Sequence, residues 1–222
     1  YIVATPIGNL EDITLRAIRV LGDVQLIAAE DTRITRKLLH RYDIHTPLTS
    51  YHDHNKEAKL PKLLLALANK DVALVSDAGT PCINDPGYEL VQAADESGIA
   101  VIPIPGPSAL TSAIAISGFP VNQFIYLGFL PRKRSQRRTL LDSLSFEKRA
   151  LVVFESPHRF KTTLEDIFVS LGDRRIAIGR ELTKLHEDIF RGQISDALSH
   201  FTTVKGEITL VIDGSGDKPI DQ

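Results

Sequence analysis

Short apolar runs alternate with segments of helical spacing through the first half of the chain. Residues 1–5, 25–29, 46–50, 72–75 and 99–104 each read as a buried strand. Between them, residues 15–21, 32–39, 57–68 and 88–94 space apolar side chains as a helix packed by one face does. A small-residue helix over 109–116 follows, with Ser108 able to cap it. Repeated strand, polar turn and helix predict a mostly parallel sheet with helices on both faces.

The polar residues concentrate where these strands stop. The turns are Pro6-Ile-Gly-Asn9, Glu30-Asp-Thr-Arg33, Tyr51-His-Asp-His-Asn55, Ser76 through Gly87, and Pro105-Gly-Pro-Ser108. Open α/β sheets bind ligands outside the carboxyl ends of their strands, so all five clusters are expected on one ligand-binding edge. The longest is Ser76-Asp-Ala-Gly-Thr-Pro-Cys-Ile-Asn-Asp-Pro-Gly87. Its density of Gly, Pro, Asp and Asn excludes regular structure, and connections of this length in compact domains tend to be functional.

The pattern changes at Gly118-Phe-Pro-Val-Asn122, the expected boundary between domains of residues 1–118 and 119–222. Strands are expected at 124–128, 151–154, 175–179, 187–191 and 206–213, with a helix at 161–171 and a short one after Gly192. Closely spaced strands with fewer helices predict a mixed sheet, in which 187–191 pairs antiparallel. The expected fold class is α/β with two α/β domains, the first a mostly parallel doubly wound sheet and the second a mixed sheet.

Charge narrows the partners. A net charge of −2 over 222 residues supplies no global field toward nucleic acid or membrane, so any basic surface is local. Cations are densest at Arg132, Lys133, Arg134, Arg137 and Arg138. Such a run is either a solvated face or a set of phosphate contacts; its place after a Gly-Phe-Leu-Pro turn favours phosphate. The single cysteine, Cys82, excludes a disulfide framework and a cysteine-based metal site within one chain, and fits a reducing compartment. No apolar run approaches 18 residues and no signal peptide is visible, so a cytoplasmic protein without membrane association is expected. The sequence begins at Tyr1 and holds no methionine, which points to trimmed ends.

Neither the glycine spacing of a dinucleotide fingerprint nor a P-loop is present. Turns rich in Gly, Pro and Ser instead offer backbone N–H and C=O groups to a neutral or zwitterionic ligand. Asp77 and Asp85 can take ribose hydroxyls or an ammonium or sulfonium group, or can cap Gly-Pro turns. His52 and His54 flank one acid with no third ligand nearby, so no metal is expected. Asp31 and Arg33 form either a plain ion pair or a substrate clamp. Glu181 and Lys184 form either a surface pair or, through Lys184, a group that activates a hydroxyl.

The strings Thr5-Pro-Ile-Gly-Asn-Leu10, Ala29-Glu-Asp-Thr-Arg33, His52-Asp-His-Asn55, Ser76-Asp-Ala-Gly-Thr-Pro81, Asn84-Asp-Pro-Gly87, Pro105-Gly-Pro107, Glu155-Ser156 and Arg180-Glu-Leu-Thr-Lys184 resemble the tetrapyrrole methylase family. The match runs in order over nearly the whole chain, and the Ser-Asp-Ala-Gly-Thr-Pro and His-Asp-His-Asn strings are specific to its branch that methylates ribosomal RNA. The resemblance implies S-adenosylmethionine in a cleft between the two domains, 2′-O-methylation of a cytidine ribose in small-subunit (16S) ribosomal RNA, and a homodimer. It implies cofactor contacts at Ile7, Asp77, Ala78, Gly79, Cys82, Ser108 and Ala109, and in the second domain at Glu155, Leu182 and Glu207. Relatives of this type carry an additional C-terminal helical segment, whereas this sequence stops at Gln222.

For that reaction the candidate bases are Glu30, Asp31, His52, His54, Glu181 and Lys184. A histidine titrates nearest neutral pH. Alternation in an extended segment would point His52 and His54 to one side with Asp53 opposite. One of these histidines is therefore expected to orient or deprotonate the 2′-hydroxyl, with Glu30, Asp31 and Arg33 holding the ribose or its phosphate. Two rivals remain. One is methyl transfer to a tetrapyrrole or other small molecule, against which the basic run argues. The other is a non-catalytic RNA-binding module, which failure to bind S-adenosylmethionine would favour.

Overall fold

The five strands of the first half assemble into one all-parallel sheet in a computed structural model, which describes residues 1–201 and 204–216. They are β1 (Ile2–Val3), β2 (Leu26–Ala29), β3 (Leu48–Ser50), β4 (Val72–Val75) and β5 (Pro103–Ile104), in the order β3-β2-β4-β1-β5. Successive side chains go to opposite faces. Ile27, Ala29, Ala73 and Val75 pack under α1 (Leu15–Asp23) and α2 (Thr32–Arg41). Ala28, Val72 and Leu74 pack with Leu63 of α3 (Lys56–Leu67) and Leu90 of α4 (Tyr88–Glu96). Burial on both faces is why β2 and β4 read as continuous apolar runs rather than alternating ones.

Neighbouring strands β1 and β4 feed helices on opposite faces, α1 on one and α4 on the other. Their carboxyl ends therefore diverge into a crevice, the switch point at which open α/β sheets bind ligands. The doubly wound sheet predicted for the first half is the one observed.

The second half builds α5 (Ala109–Ser117), β6 (Phe124–Phe129), α6 (Arg134–Ser143), β7 (Ala150–Glu155), α7 (Phe160–Leu171), β8 (Arg175–Arg180), β9 (Asp188–Gln193), α8 (Ile194–His200) and β10 (Ile208–Ile212). The sheet order is β6-β7-β10-β8-β9, parallel only between β6 and β7. The mixed sheet and the antiparallel pairing of β9 follow the sequence pattern. Leu141, Phe160, Leu164, Ile167 and Ile194 from α6, α7 and α8 form its core with Leu151, Val153, Ile178 and Leu210.

The chain divides into two compact units after Ser108, not at Gly118. Helix α5 packs on β8 and β10 and so belongs with the second sheet. Helix α6 is an element the pattern did not show. Only Arg137 and Leu141 of its residues are buried, so it has almost no apolar face to read.

Candidate active site

At the switch point the first turn and the long loop are stitched together. Thr5 N donates to Gly79 O at 2.9 Å and Gly79 N donates to Thr5 O at 2.9 Å. Thr5 Oγ1 donates to Ser76 O at 3.2 Å. Gly79 has φ +78°, and a Cβ there would stand 3.4 Å from Ile7 Cγ2 and 3.9 Å from Pro107 O. Three expected cofactor turns thus meet around one glycine backbone in the left-handed region. Thr80 Oγ1 adds a 3.4 Å bond to Pro107 O. Ser108 follows at once and leads into α5, whose first residue is Ala109.

The same loop carries two non-glycine residues at positive φ, Cys82 (+70°) and Asn84 (+66°). Backbone strain of this kind clusters at ligand sites. Cys82 turns its side chain inward: Sγ lies 2.7 Å from where a Cβ on Gly87 would stand, and the residue packs against the cluster of Leu74 and Leu90. Burial, then Asp85 and Glu89, push its thiol above the usual range.

Three carboxylates gather on the ends of β2 and β4. Asp31 N donates to Asp77 Oδ1 at 2.9 Å, and Asp77 N donates to Glu30 Oε2 at 3.3 Å. Asp77 Oδ2 has no hydrogen-bond partner among the described residues. Burial, followed by the charge of neighbouring carboxylates, raises both Glu30 and Asp77 above the ordinary carboxylate range. Asp31 goes the other way, to about 2, because Arg33 hydrogen-bonds it through side chain and backbone. Asp31 also caps α2 by accepting from Arg33 N. The ion pair and the cap are one structure, with Arg33 Nη2 at 2.6 Å from Asp31 Oδ2. Beside these groups lies a cavity of ≈ 190 Å³ lined by Thr5, Pro6, Thr35, Leu38, Ser76 and Asp77, among others. Concentrated negative charge beside a glycine-turn cradle suits a cationic, nucleoside-like group. The residues expected to hold S-adenosylmethionine in this unit fit it on that ground.

The histidine segment differs from expectation. Residues 52–55 form a turn, not an extended strand: Asn55 N and Lys56 N both donate to His52 O at 2.9 Å. His52 is half-buried, whereas Asp53 and His54 are exposed. The two rings still lie near each other, with centroids 6.1 Å apart. Asn55 Oδ1 accepts from His52 N at 2.9 Å, which fixes its amide so that Nδ2 faces His52 Nε2 at 3.1 Å. The neutral His52 ring then carries its proton on Nδ1, a buried atom with no partner among the described residues. Asp53 pairs with Lys56 at 3.1 Å.

In the second unit, Glu155 is buried and occupied. Its Oε1 accepts from Ser156 N at 2.7 Å, and its Oε2 accepts from Thr163 Oγ1 at 2.6 Å with Arg159 at 3.3 Å. Leu182 is buried against Gly179. Lys184 Nζ donates to Glu181 Oε1 at 2.9 Å and to Glu207 Oε2 at 3.1 Å. Burial lowers the affinity of Lys184 for its proton, but the two carboxylates more than offset this and hold it as an ammonium. As placed, Lys184 is a donor and not a base.

The basic run is a correction. Arg137 is only 5% exposed at its side chain and binds Asp166 Oδ2 through Nη2 at 2.6 Å and Nε at 2.9 Å. Arg134 and Arg138 reach Asp166 Oδ1 at 2.9 and 3.5 Å. Asp166 is fully buried on α7, and a buried carboxylate demands partners. Arg137 therefore cannot face a phosphate; Arg132 and Lys133 remain exposed.

Among the described residues no group of His, Cys, Asp and Glu could hold a metal ion. No described helix is long and apolar enough to cross a membrane.

Comparison with known proteins gives a consistent result. Residues 1–198 match the tetrapyrrole (corrin/porphyrin) methylases. The chain is 54% identical to ribosomal RNA small subunit methyltransferase I of Thermotoga maritima, over 96% of this chain and 97% of that one. It is 52% identical to the protein of the same name in Halalkalibacterium halodurans, over 98% of this chain and 76% of the relative. A solved cobalt precorrin-4 methyltransferase superposes with a TM-score of 0.70 at 17% identity, covering 95% of this chain and 93% of the other, a likeness of fold alone.

Proposed function

The chain belongs to the tetrapyrrole (corrin/porphyrin) methylase family, and from that premise we propose that it methylates the 2′-hydroxyl of a cytidine ribose in small-subunit ribosomal RNA, with S-adenosylmethionine as donor. The observation that carries the reading is the 54% identity, over nearly the full length of both chains, to a relative named for that RNA. When bound, S-adenosylmethionine supplies a methyl group activated on a sulfonium sulfur. Transfer needs an in-line approach of the ribose oxygen, so most of the work of the protein is placement.

The main chain of Gly79, Ala78 and Cys82, with Ile7 and the turn ending at Ser108 and Ala109, holds the donor. Asp77 offers its unpaired Oδ2 to the donor's cationic or hydroxyl groups. Arg33, set by Asp31 and beside Glu30, holds the ribose phosphate. His52, with Nδ1 buried, Nε2 held by Asn55 and its ring 6.1 Å from that of His54, positions the turn that presents His54. His54 would take the proton that the hydroxyl loses on methylation, the electron pair of the broken methyl–sulfur bond staying on sulfur as a neutral thioether.

The experiment is single-turnover methylation of small subunits that lack this modification, at saturating cofactor. His54→Ala is expected to slow transfer by roughly 10²–10⁴. His52→Ala is expected to slow it less, because His52 acts through the turn that holds His54. Rates within a few-fold of wild type for both variants would make the histidines structural.

A further inference from the structure

The run that looks most like a phosphate site is largely tied to Asp166, and the remaining exposed cations are spread unevenly over the described helices. Helix α2 is the one that carries cations and no acid: Arg33, Arg36, Lys37 and Arg41, with His40. Helices α1, α3, α6 and α7 mix signs, α4 and α8 carry acids without Lys or Arg, and α5 carries neither. Arg36, Lys37 and Arg41 are exposed, and no carboxylate among the described residues pairs with them. The opposite face, Thr35, Leu38 and Leu39, anchors the helix to the sheet. These cations are therefore held in place by the fold yet left without counter-charge.

We propose that the solvent face of α2 is a docking surface for the phosphate backbone of the RNA substrate. The proposal rests on the RNA reading above and extends it to a surface. Three features favour this occupant over plain solvation. The helix starts at Asp31 and Arg33, and Thr35, Lys37 and Leu38 line the ≈ 190 Å³ cavity shared with Thr5 and Asp77. Its cationic face thus begins at the proposed chemistry and leads away from it. At 1.5 Å per residue the charges from Arg33 to Arg41 cover about 12 Å, enough for more than one phosphate. At the far end Arg36, His40 and His45 stand at the rim of a hollow of ≈ 470 Å³ floored by Leu39, Ile44 and Leu48. Asp43, which pairs with His45 at 3.1 Å, is the one acid there. The hollow thus lies beside Arg36 on the helix and offers space next to the cationic face. In a chain of net charge −2, such a face concentrates local attraction for a polyanion.

The test measures binding of small ribosomal subunits lacking the modification, as a function of salt. Arg36→Ala, Lys37→Ala and Arg41→Ala are combined. A charge-matched control combines Lys62→Ala, Lys70→Ala and Lys161→Ala, three exposed lysines elsewhere. The α2 variant is expected to bind roughly tenfold or more weakly at low salt. Its log–log salt slope is expected to be shallower by about 2, three contacts at about 0.7 each. The control is expected to keep the wild-type slope. Urea unfolding of the α2 variant is expected to stay close to wild type, showing an intact fold. Equal slopes for wild type and the α2 variant, or an equal loss in the control, would overturn the proposal while leaving the reaction intact. A wild-type protein that binds S-adenosylmethionine but not the subunits would instead overturn the RNA reading, and the proposal with it.

Discussion

Helices α2 and α6 each carry an arginine-rich stretch, and their cations end in different surroundings. The run 132–138, which leads into α6, has five cations in seven residues, the densest in the chain. Arg134, Arg137 and Arg138 converge on Asp166, 28 to 32 residues further along and fully buried. In α2 the one ion pair among the described residues is Arg33 with its own cap, Asp31, and Arg36, Lys37 and Arg41 meet no acid. Cation density therefore does not distinguish a binding surface from a structural clamp. What decides is whether a buried carboxylate elsewhere in the fold needs the charge. Desolvating Asp166 costs far more than an exposed ion pair returns, so the fold gathers guanidinium groups around it.

That difference is open to direct attack. The largest effect is expected from Asp166→Leu, which strands the buried Arg137 guanidinium without its partner. Stability should fall by about 3–5 kcal/mol in urea unfolding. The matching change on the other helix, Arg36→Ala, should stay within about 0.5 kcal/mol, as for an exposed residue away from caps and core. A large loss from Arg36→Ala would show that α2 also spends its cations on structure.

A smaller effect is expected on the acid side of the stability profile. Burial alone would raise the Asp166 carboxyl, but hydrogen bonds from Arg134 and Arg137 more than reverse this and hold it below 3.8. A depressed carboxylate contributes stability that is present above its unfolded value and lost as pH falls through the folded one. Wild type should therefore lose stability as pH drops below about 4, and Asp166→Asn should lose less over that interval. Identical acid limbs would mean that the arginines do not favour the charged form of Asp166.

Much of the first unit was legible because parallel strands buried on both faces are written as plain apolar runs and each polar cluster follows one. The glycine-rich loop could be located, but not its bridge to Thr5, which joins residues 74 positions apart. Nor could the carboxylate group be foreseen, since Asp31 and Asp77 meet across 46 positions. His52 and His54 were placed at the right edge with the wrong geometry. Asn55 closes a turn by capturing His52 through backbone and ring, and that capture overrides alternation. Helix α5 is small and apolar on all sides, so its pattern gave no hint that it packs on the second sheet. Arg137 could not be told from its neighbours because nothing local marks which arginine of a run will be buried.

The central claim is that the β1–β4 edge transfers a methyl group to a cytidine ribose oxygen. The most direct measurement incubates the protein with small subunits lacking the modification and S-adenosylmethionine labelled in its methyl group, then digests the RNA and identifies the labelled nucleoside by mass spectrometry. The account predicts label in 2′-O-methylcytidine, and much less of it with Asp77→Asn, which keeps the Oδ1 that accepts from Asp31 N and loses the charge. Label on a base, on a ribose other than cytidine, or no label in RNA from protein that binds the cofactor would contradict it.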